Sequence, residues 1–204
     1  MRVKICGFTR EQDVQAALDA GVDALGFNLA RGPRRIDLAR AAQLAALVPP
    51  MVQAVALFVD ADEATILAAV AATRCTAVQL HGDEPPELAA SLRRRLPVLK
   101  AFRIAGPADL DRVRGYPADA YLLDAAVAGA LGGTGVTWDH GLLAGRDLGA
   151  PVVLAGGLTP ANVAEAVALA RPWAVDTASG VESAPGIKDA AAMRAFVVAA
   201  RSCG

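Results

Sequence analysis

The sequence predicts an α/β fold of the (β/α)8 TIM-barrel class, on three observations. Short β-branched or apolar runs alternate with alanine-rich amphipathic stretches along the whole chain of 204 residues. Each strand-like run is followed by a helix-like one, which implies parallel strands joined by right-handed crossovers. The strand runs read as buried on both faces, and an alternating chain of this length closes into a barrel. An open doubly wound sheet is the competing arrangement. No linker or shift of composition interrupts the alternation, so residues 1–204 are read as one catalytic barrel domain.

The strands are expected at Arg2–Cys6, Ala24–Asn28, Val52–Val59, Ala77–His81, Val98–Phe102, Ala120–Leu123, Val152–Ala155 and Ala174–Thr177. Helices are expected at Glu11–Ala20, Leu38–Leu47, Glu63–Thr73, Pro86–Arg94, Ala108–Val113, Gly141–Arg146, Pro160–Ala170 and Lys188–Arg201. Glu63, Pro86 and Pro160 mark helix starts, because an acid or a proline suits the first turn. The sixth helix is short and flanked by glycines.

Composition narrows the function classes. The chain is 54% hydrophobic and 20% charged, apolar enough for a large core. Twenty basic and twenty-one acidic residues nearly cancel, so no nucleic-acid-binding surface is expected and any phosphate is held locally. Cys6, Cys75 and Cys203 are too few and too scattered for a disulfide framework. Their odd number fits a reducing, cytoplasmic compartment. No apolar run approaches the ~20 residues of a bilayer span. The N-terminus is strand-like from Val3 and lacks a signal peptide's apolar core. Two histidines without matching acidic spacing predict no metal site. A monomer or a homodimer is expected.

In either α/β arrangement, chemistry gathers where the strands' C-terminal ends meet the following loops. Strand one ends in Lys4-Ile5-Cys6-Gly7, with Lys4 and Cys6 on one face. Cys6 is either a base, its thiol tuned by nearby cations, or a small buried apolar residue. Strand six ends in Leu122-Leu123-Asp124. Burial would raise that carboxyl toward a general acid; the alternative is a loop cap. His81, after Gln79-Leu80, is an acid/base candidate or a neutral wall, and Asp176 is a second acid/base residue or a brace for substrate hydroxyls. The loops after strands seven and eight carry Gly156-Gly157 and Ser179-Gly180, whose backbone N–H groups suit a phosphate. A third glycine cluster, Gly132-Gly133-Thr134-Gly135, follows Asp124 and is either a further amide donor or a flexible loop. Arg31, Arg34 and Arg35 in the second loop are candidates for a substrate carboxylate.

These strings resemble the phosphoribosylanthranilate isomerases. The Lys4-Ile5-Cys6-Gly7-Phe8-Thr9 opening is similar to that family's, and Gly26-Phe27, Pro33-Arg34, Val78-Gln79-Leu80-His81-Gly82 and Leu122-Leu123-Asp124 follow in order. Gly132-Gly133-Thr134-Gly135, Gly156-Gly157-Leu158 and Asp176-Thr177-Ala178-Ser179-Gly180-Val181-Glu182 complete a match over essentially the whole chain. The resemblance implies an Amadori rearrangement in tryptophan biosynthesis, with Asp124 as general acid, Cys6 as general base and Arg34 holding the substrate carboxylate. His81 and Asp176 are implied as further substrate-binding residues, and Gly133, Gly156, Gly157, Ser179 and Gly180 as phosphate-binding ones. The small-molecule partner is a sugar phosphate, and the implied chemistry needs no cofactor. The second loop departs from the family's pattern, because Arg35 stands where an aromatic residue usually follows the arginine. Arg35 is therefore the alternative anchor. A histidine-pathway isomerase barrel would carry aspartate at strand one, and a non-catalytic phosphate-binding barrel would have lost an acid or a base. Cys6 and Asp124 argue against both.

Overall fold

A computed structural model of the chain describes residues 1–125 and 139–202. Eight parallel strands form a closed barrel in sequence order: β1 (Arg2–Cys6), β2 (Ala24–Asn28), β3 (Gln53–Phe58), β4 (Ala77–Leu80), β5 (Val98–Ile104), β6 (Ala120–Ala125), β7 (Val152–Leu154) and β8 (Ala174–Thr177). Pairing of β8 with β1 through Val3↔Val175 and Lys4↔Asp176 completes the ring, which rules out the open doubly wound sheet. The helices are α1 (Glu11–Ala20), α2 (Leu38–Ala45), α3 (Glu63–Thr73), α4 (Pro86–Leu92), α5 (Pro107–Val113), α6 (Val163–Ala170) and α7 (Ala190–Arg201).

Alternation along the strands sorts side chains into two cores. Outward-facing Val3, Ile5, Leu25, Phe27, Val78, Leu80, Leu123 and Val175 are buried beneath the helices. Inward-facing Ala101, Leu122, Val153, Ala155 and Ala174 fill the barrel interior, with Leu99 and Ala120 against them. Alanines stand beside leucine and valine in this inner layer, where side chains from several strands converge.

Several element ends shift by one or two residues from the sequence expectation, and four departures have an identifiable cause. Where a sixth α-helix is expected at Gly141–Arg146, a 3-10 turn covers His140–Leu143, capped by the Asp139 carboxylate on the N–H of Gly141. Glycines at 141 and 145 lower the helix propensity of a segment already short. Helix α6 starts at Val163 and not at Pro160, because Asn162 accepts from the N–H of Thr159 and donates to the carbonyl of Gly157, holding these residues as a turn. Helix α7 starts at Ala190, behind the Asp189 N-cap, because Lys188 is already paired. It belongs to β10 (Ile187–Lys188), which runs antiparallel to β9 (Glu182–Ala184) in a hairpin absent from the sequence expectation.

One ion pair outside the barrel mouth braces two loops against a strand. Lys100 Nζ lies 2.7 Å from Glu84 Oε2, and both side chains are almost fully buried. Glu84 also accepts the N–H groups of Asp60 and Gly82, while Lys100 donates to the carbonyl of Gly82. The loops after β3 and β4 are thus tied to β5. Lys100→Ala should cost about 3–5 kcal/mol, because the carboxylate left behind is buried and unpaired. Replacing Lys100 by methionine and Glu84 by glutamine together, which keeps an acceptor for the N–H groups of Asp60 and Gly82, should cost much less. Urea denaturation of the two variants measures the difference, and equal losses would show that the pairing is not what matters.

Candidate active site

The barrel's C-terminal mouth opens into a cavity lined by Cys6, Arg34, His81, Asp124, Gly156, Gly157, Asp176 and Ser179, among others. Side chains from strands one, four, six and eight and the loops that follow β2, β7 and β8 therefore share one opening. Strand alternation delivers them, since Lys4 and Cys6, Gln79 and His81, Leu122 and Asp124, and Ala174 and Asp176 each point inward in pairs.

Room for the Cys6 thiol comes from Gly26, its register partner on β2. A Cβ at Gly26 would lie 2.6 Å from the Cys6 sulfur. Below the thiol, Lys4 Nζ contacts Asp176 Oδ1 at 2.9 Å, across the β1–β8 seam. Burial pulls the Lys4 ammonium down, but Asp176 and then Cys6 outweigh it and hold Lys4 above its ordinary value. Burial pushes the Cys6 thiol up, while the Lys4 charge pulls it back toward thiolate and Lys188 adds to that pull.

Asp124 is buried at the end of β6, where Oδ1 accepts the N–H of Ala125 at 2.9 Å. Burial and then the charge of Asp176 raise its pKa to about 6, inside the range a general acid needs near neutral pH. Its other oxygen, Oδ2, lies 3.7 Å from Nε2 of His81. His81 is kept neutral, its pKa lowered to about 4 by burial first and then by Lys4, Lys100 and Arg103. His140 is buried in the 3-10 turn and does not line the cavity.

The two glycine loops meet beside this pair. Gly156 and Gly157 both take positive φ, 91° and 64°, and a Cβ on Gly156 would strike the backbone nitrogen of Ala125. The loop can therefore lie directly on the end of β6 only as glycine. Gly180 does not line the cavity. A Cβ there would overlap the carbonyl oxygen of Leu158, so its absent side chain lets the loop after β8 close on the loop after β7. Thr177 Oγ1 fastens the same contact, donating to Leu158 O at 2.7 Å. Ser179 opens a 3-10 turn through Val181, whose first N–H groups have no partner within the turn. The Gly132-Gly133-Thr134-Gly135 cluster lies outside the described residues.

Arg34 lies against Gly7, which has φ +86° and whose Cβ would collide with the arginine stem. Its Nε and Nη2 grip Glu182 in a fork, at 2.8 and 2.7 Å. Glu182 also accepts from Lys188, which reaches the carbonyls of Cys6 and Ala178 as well. The fork lowers the Glu182 carboxyl against the upward push of burial. Arg35 is exposed, bridges backbone to Asn28 and does not line the cavity. Sequence reading left Lys4, Lys188 and Glu182 without roles at this site. Lys4 left a signal, a charged residue two positions before the cysteine on the same strand face. Lys188 left none, because its position depends on the hairpin. Among the described residues no group of three or more His, Cys, Asp or Glu could hold a metal ion, and no helix is long and apolar enough to cross a membrane.

Comparison with known proteins points to one family. The family model described as N-(5'-phosphoribosyl)anthranilate isomerase matches residues 3–199. The chain is 52% identical to the N-(5'-phosphoribosyl)anthranilate isomerase of Myxococcus xanthus, over 99% of this chain and 97% of that protein. It superposes on the crystal structure of phosphoribosyl anthranilate isomerase from Thermotoga maritima with a TM-score of 0.92, at 37% identity and 99% coverage of both chains. A solved phosphoribosyl anthranilate isomerase in complex with reduced 1-(o-carboxyphenylamino)-1-deoxyribulose 5-phosphate is similar at a TM-score of 0.89 and 35% identity, again with 99% of both chains covered. With its barrel and nearly its whole length in agreement, the chain belongs to the N-(5'-phosphoribosyl)anthranilate isomerase family.

Proposed function

We propose that this chain converts N-(5'-phosphoribosyl)anthranilate to 1-(2-carboxyphenylamino)-1-deoxyribulose 5-phosphate in cytoplasmic tryptophan biosynthesis, with Asp124 as the general acid and Cys6 as the general base. One observation carries the assignment of roles: the thiol and the carboxyl line a single cavity, beside two glycine-bearing loops suited to a phosphate.

The reaction divides into two proton transfers. Asp124 gives its proton to the furanose ring oxygen. The bond from C1′ to that oxygen breaks toward oxygen, and the anthranilate nitrogen lone pair forms the C1′=N iminium. The iminium acidifies the C2′–H, so a modest base suffices. The Cys6 thiolate takes that proton, the C–H electrons form C1′=C2′, and the iminium electrons return to nitrogen. The resulting enolamine becomes the ketone as C1′ gains a proton and the C2′ hydroxyl loses one. No electrons leave the substrate, so neither oxidant nor reductant enters the balance.

The remaining residues bind. Backbone N–H groups of Gly156, Gly157, Ser179 and Gly180 are the proposed phosphate donors, and Gly133 is proposed as a further one. Arg34, with Nε and Nη2 on Glu182, has Nη1 to offer the anthranilate carboxylate. Its position on the cavity wall favours it over Arg35. His81 and Asp176 complete the mouth around the sugar.

Loss of anthranilate-type fluorescence follows turnover directly. Cys6→Ala and Asp124→Ala should each lower kcat by about 10²-fold or more, the range expected for a lost acid or base. Near-normal turnover in either variant would remove that residue's role. Arg34→Ala should mainly raise KM. A larger KM effect from Arg35→Ala would move the anchor there.

The pH profile follows from the two shifted groups. The productive form carries Cys6 as thiolate and Asp124 protonated. Below about 6 the thiolate fraction rises with pH while Asp124 keeps its proton, so kcat/KM should climb. Above about 6 each gain in thiolate is cancelled by loss of the Asp124 proton, and the profile should flatten until the raised thiol titrates. Asp124→Glu should move the lower break, whereas a break set by the substrate's own phosphate would stay in place.

A further inference from the structure

The inward face of β4 and its end carry two polar side chains in succession, Gln79 and His81, and Gln79 has no part in the reaction as written. The carboxamide nitrogen of Gln79 lies 2.7 Å from Nδ1 of His81. Such a nitrogen only donates, so Nδ1 accepts and the neutral ring carries its proton on Nε2. Nε2 is buried without a hydrogen-bond partner among the described residues, 3.7 Å from Asp124 Oδ2. On the carboxyl, Oδ1 already accepts from Ala125, which leaves Oδ2 to carry the acidic proton.

We infer that Gln79 is a positioning residue for the acid step: it fixes His81 as an Nε2–H donor to Asp124 Oδ2 and so turns the Asp124 O–H outward, toward the substrate's ring oxygen. This rests on the reading of Asp124 as the acid. A carboxyl O–H oxygen has one proton to give and lone pairs that receive. With the proton on Nε2, 3.7 Å from Oδ2, the ring offers no acceptor on that side, so the O–H is left to the cavity. As the O–H bond of Asp124 breaks and the ring O–H bond forms, the new carboxylate has a donor 3.7 Å away that closes onto it. A donor to the charged form favours that form, so the proton leaves more readily. The opposite tautomer would draw the Asp124 proton into the imidazole and away from the sugar.

The charged surroundings are compatible with this direction. The charges of Lys4 on β1 and of Lys100 and Arg103 on β5 add to burial in keeping the ring neutral, against Glu84 from the loop after β4. Asp176 from β8 keeps Asp124 protonated, against Arg103 and Lys4. Gln79 is thus the hydrogen-bonding partner that selects which ring nitrogen holds the proton.

Two-dimensional 1H–15N spectra of the imidazole nitrogens distinguish the tautomers in 15N-labelled protein. The chain has two histidines, and the resonances lost in His81→Gln assign the pair. At pH 7 the intact protein should show His81 as the Nε2–H tautomer. In Gln79→Glu, whose carboxylate only accepts, the ring should carry its proton on Nδ1. In Gln79→Met, which offers no donor, kcat should fall about tenfold, less than for loss of the acid itself. KM should stay within about twofold. The lower pH break should move upward, because the Asp124 carboxylate loses its donor. An Nδ1–H tautomer or an imidazolium in the intact protein would overturn the inference, as would an unchanged kcat and pH break in folded Gln79→Met. The spectrum of the intact protein decides even where a variant does not fold. It also separates this inference from the proposed reaction, whose failure would appear as retained turnover in Asp124→Ala.

Discussion

The site depends on the buried ion pair between Lys4 and Asp176. The two groups meet at 2.9 Å across the seam where β8 joins β1, with side chains only 6% and 10% exposed. Either charge alone would be costly at that depth, and pairing makes both tolerable. The pair also acts on both reacting groups. Cys6 feels Lys4 more strongly than Asp176, so within the pair the cation prevails and draws the thiol toward thiolate, against the upward push of burial. Asp124 feels Asp176 more strongly than Lys4, so within the pair the anion prevails and adds to burial in pushing it toward the protonated acid. One dipolar element inside the barrel thus biases the proposed base downward and the proposed acid upward.

Much of the remaining construction works by leaving side chains out. Gly26 clears the space that the Cys6 sulfur occupies, and Gly7 clears the path of Arg34. Gly156 lets its loop rest on the backbone of Ala125, and Gly180 brings the loop after β8 onto the carbonyl of Leu158. At each position a methyl group would strike an atom that belongs to the site or holds it. These glycines are therefore constraints of packing as much as of dihedral angle.

Strand alternation explains why so much was legible in the letters. A period of two places Lys4 with Cys6 and Leu122 with Asp124, and chain order alone puts the ends of β1, β4, β6 and β8 around one mouth. Interactions that depend on long-range register were not legible. The fork between Arg34 and Glu182 joins residues 148 apart, and the Lys188 contact with the Cys6 carbonyl joins residues 182 apart. Neither follows from a local pattern, because each needs the barrel closed and the β9–β10 hairpin folded first. The sixth helical segment departs from its helical expectation for a local reason, since two glycines and one short apolar stretch leave a 3-10 turn as the more favourable form.

The neutrality of His81 is part of the same electrostatic arrangement. A charged imidazolium 3.7 Å from Asp124 would stabilise the carboxylate and strip the proposed acid of its proton near neutral pH. Burial together with Lys4, Lys100 and Arg103 prevents that by holding the ring's pKa at about 4, two units below that of Asp124 at about 6. Over the working range the histidine offers hydrogen-bond direction without charge. Lys4 contributes twice, because the cation that favours the Cys6 thiolate also helps keep His81 neutral. Acid, base and histidine are therefore not tuned independently. Removing the Lys4 charge would shift all three, and each would move away from the state the proposed reaction uses, except Asp124, whose proton Lys4 slightly opposes.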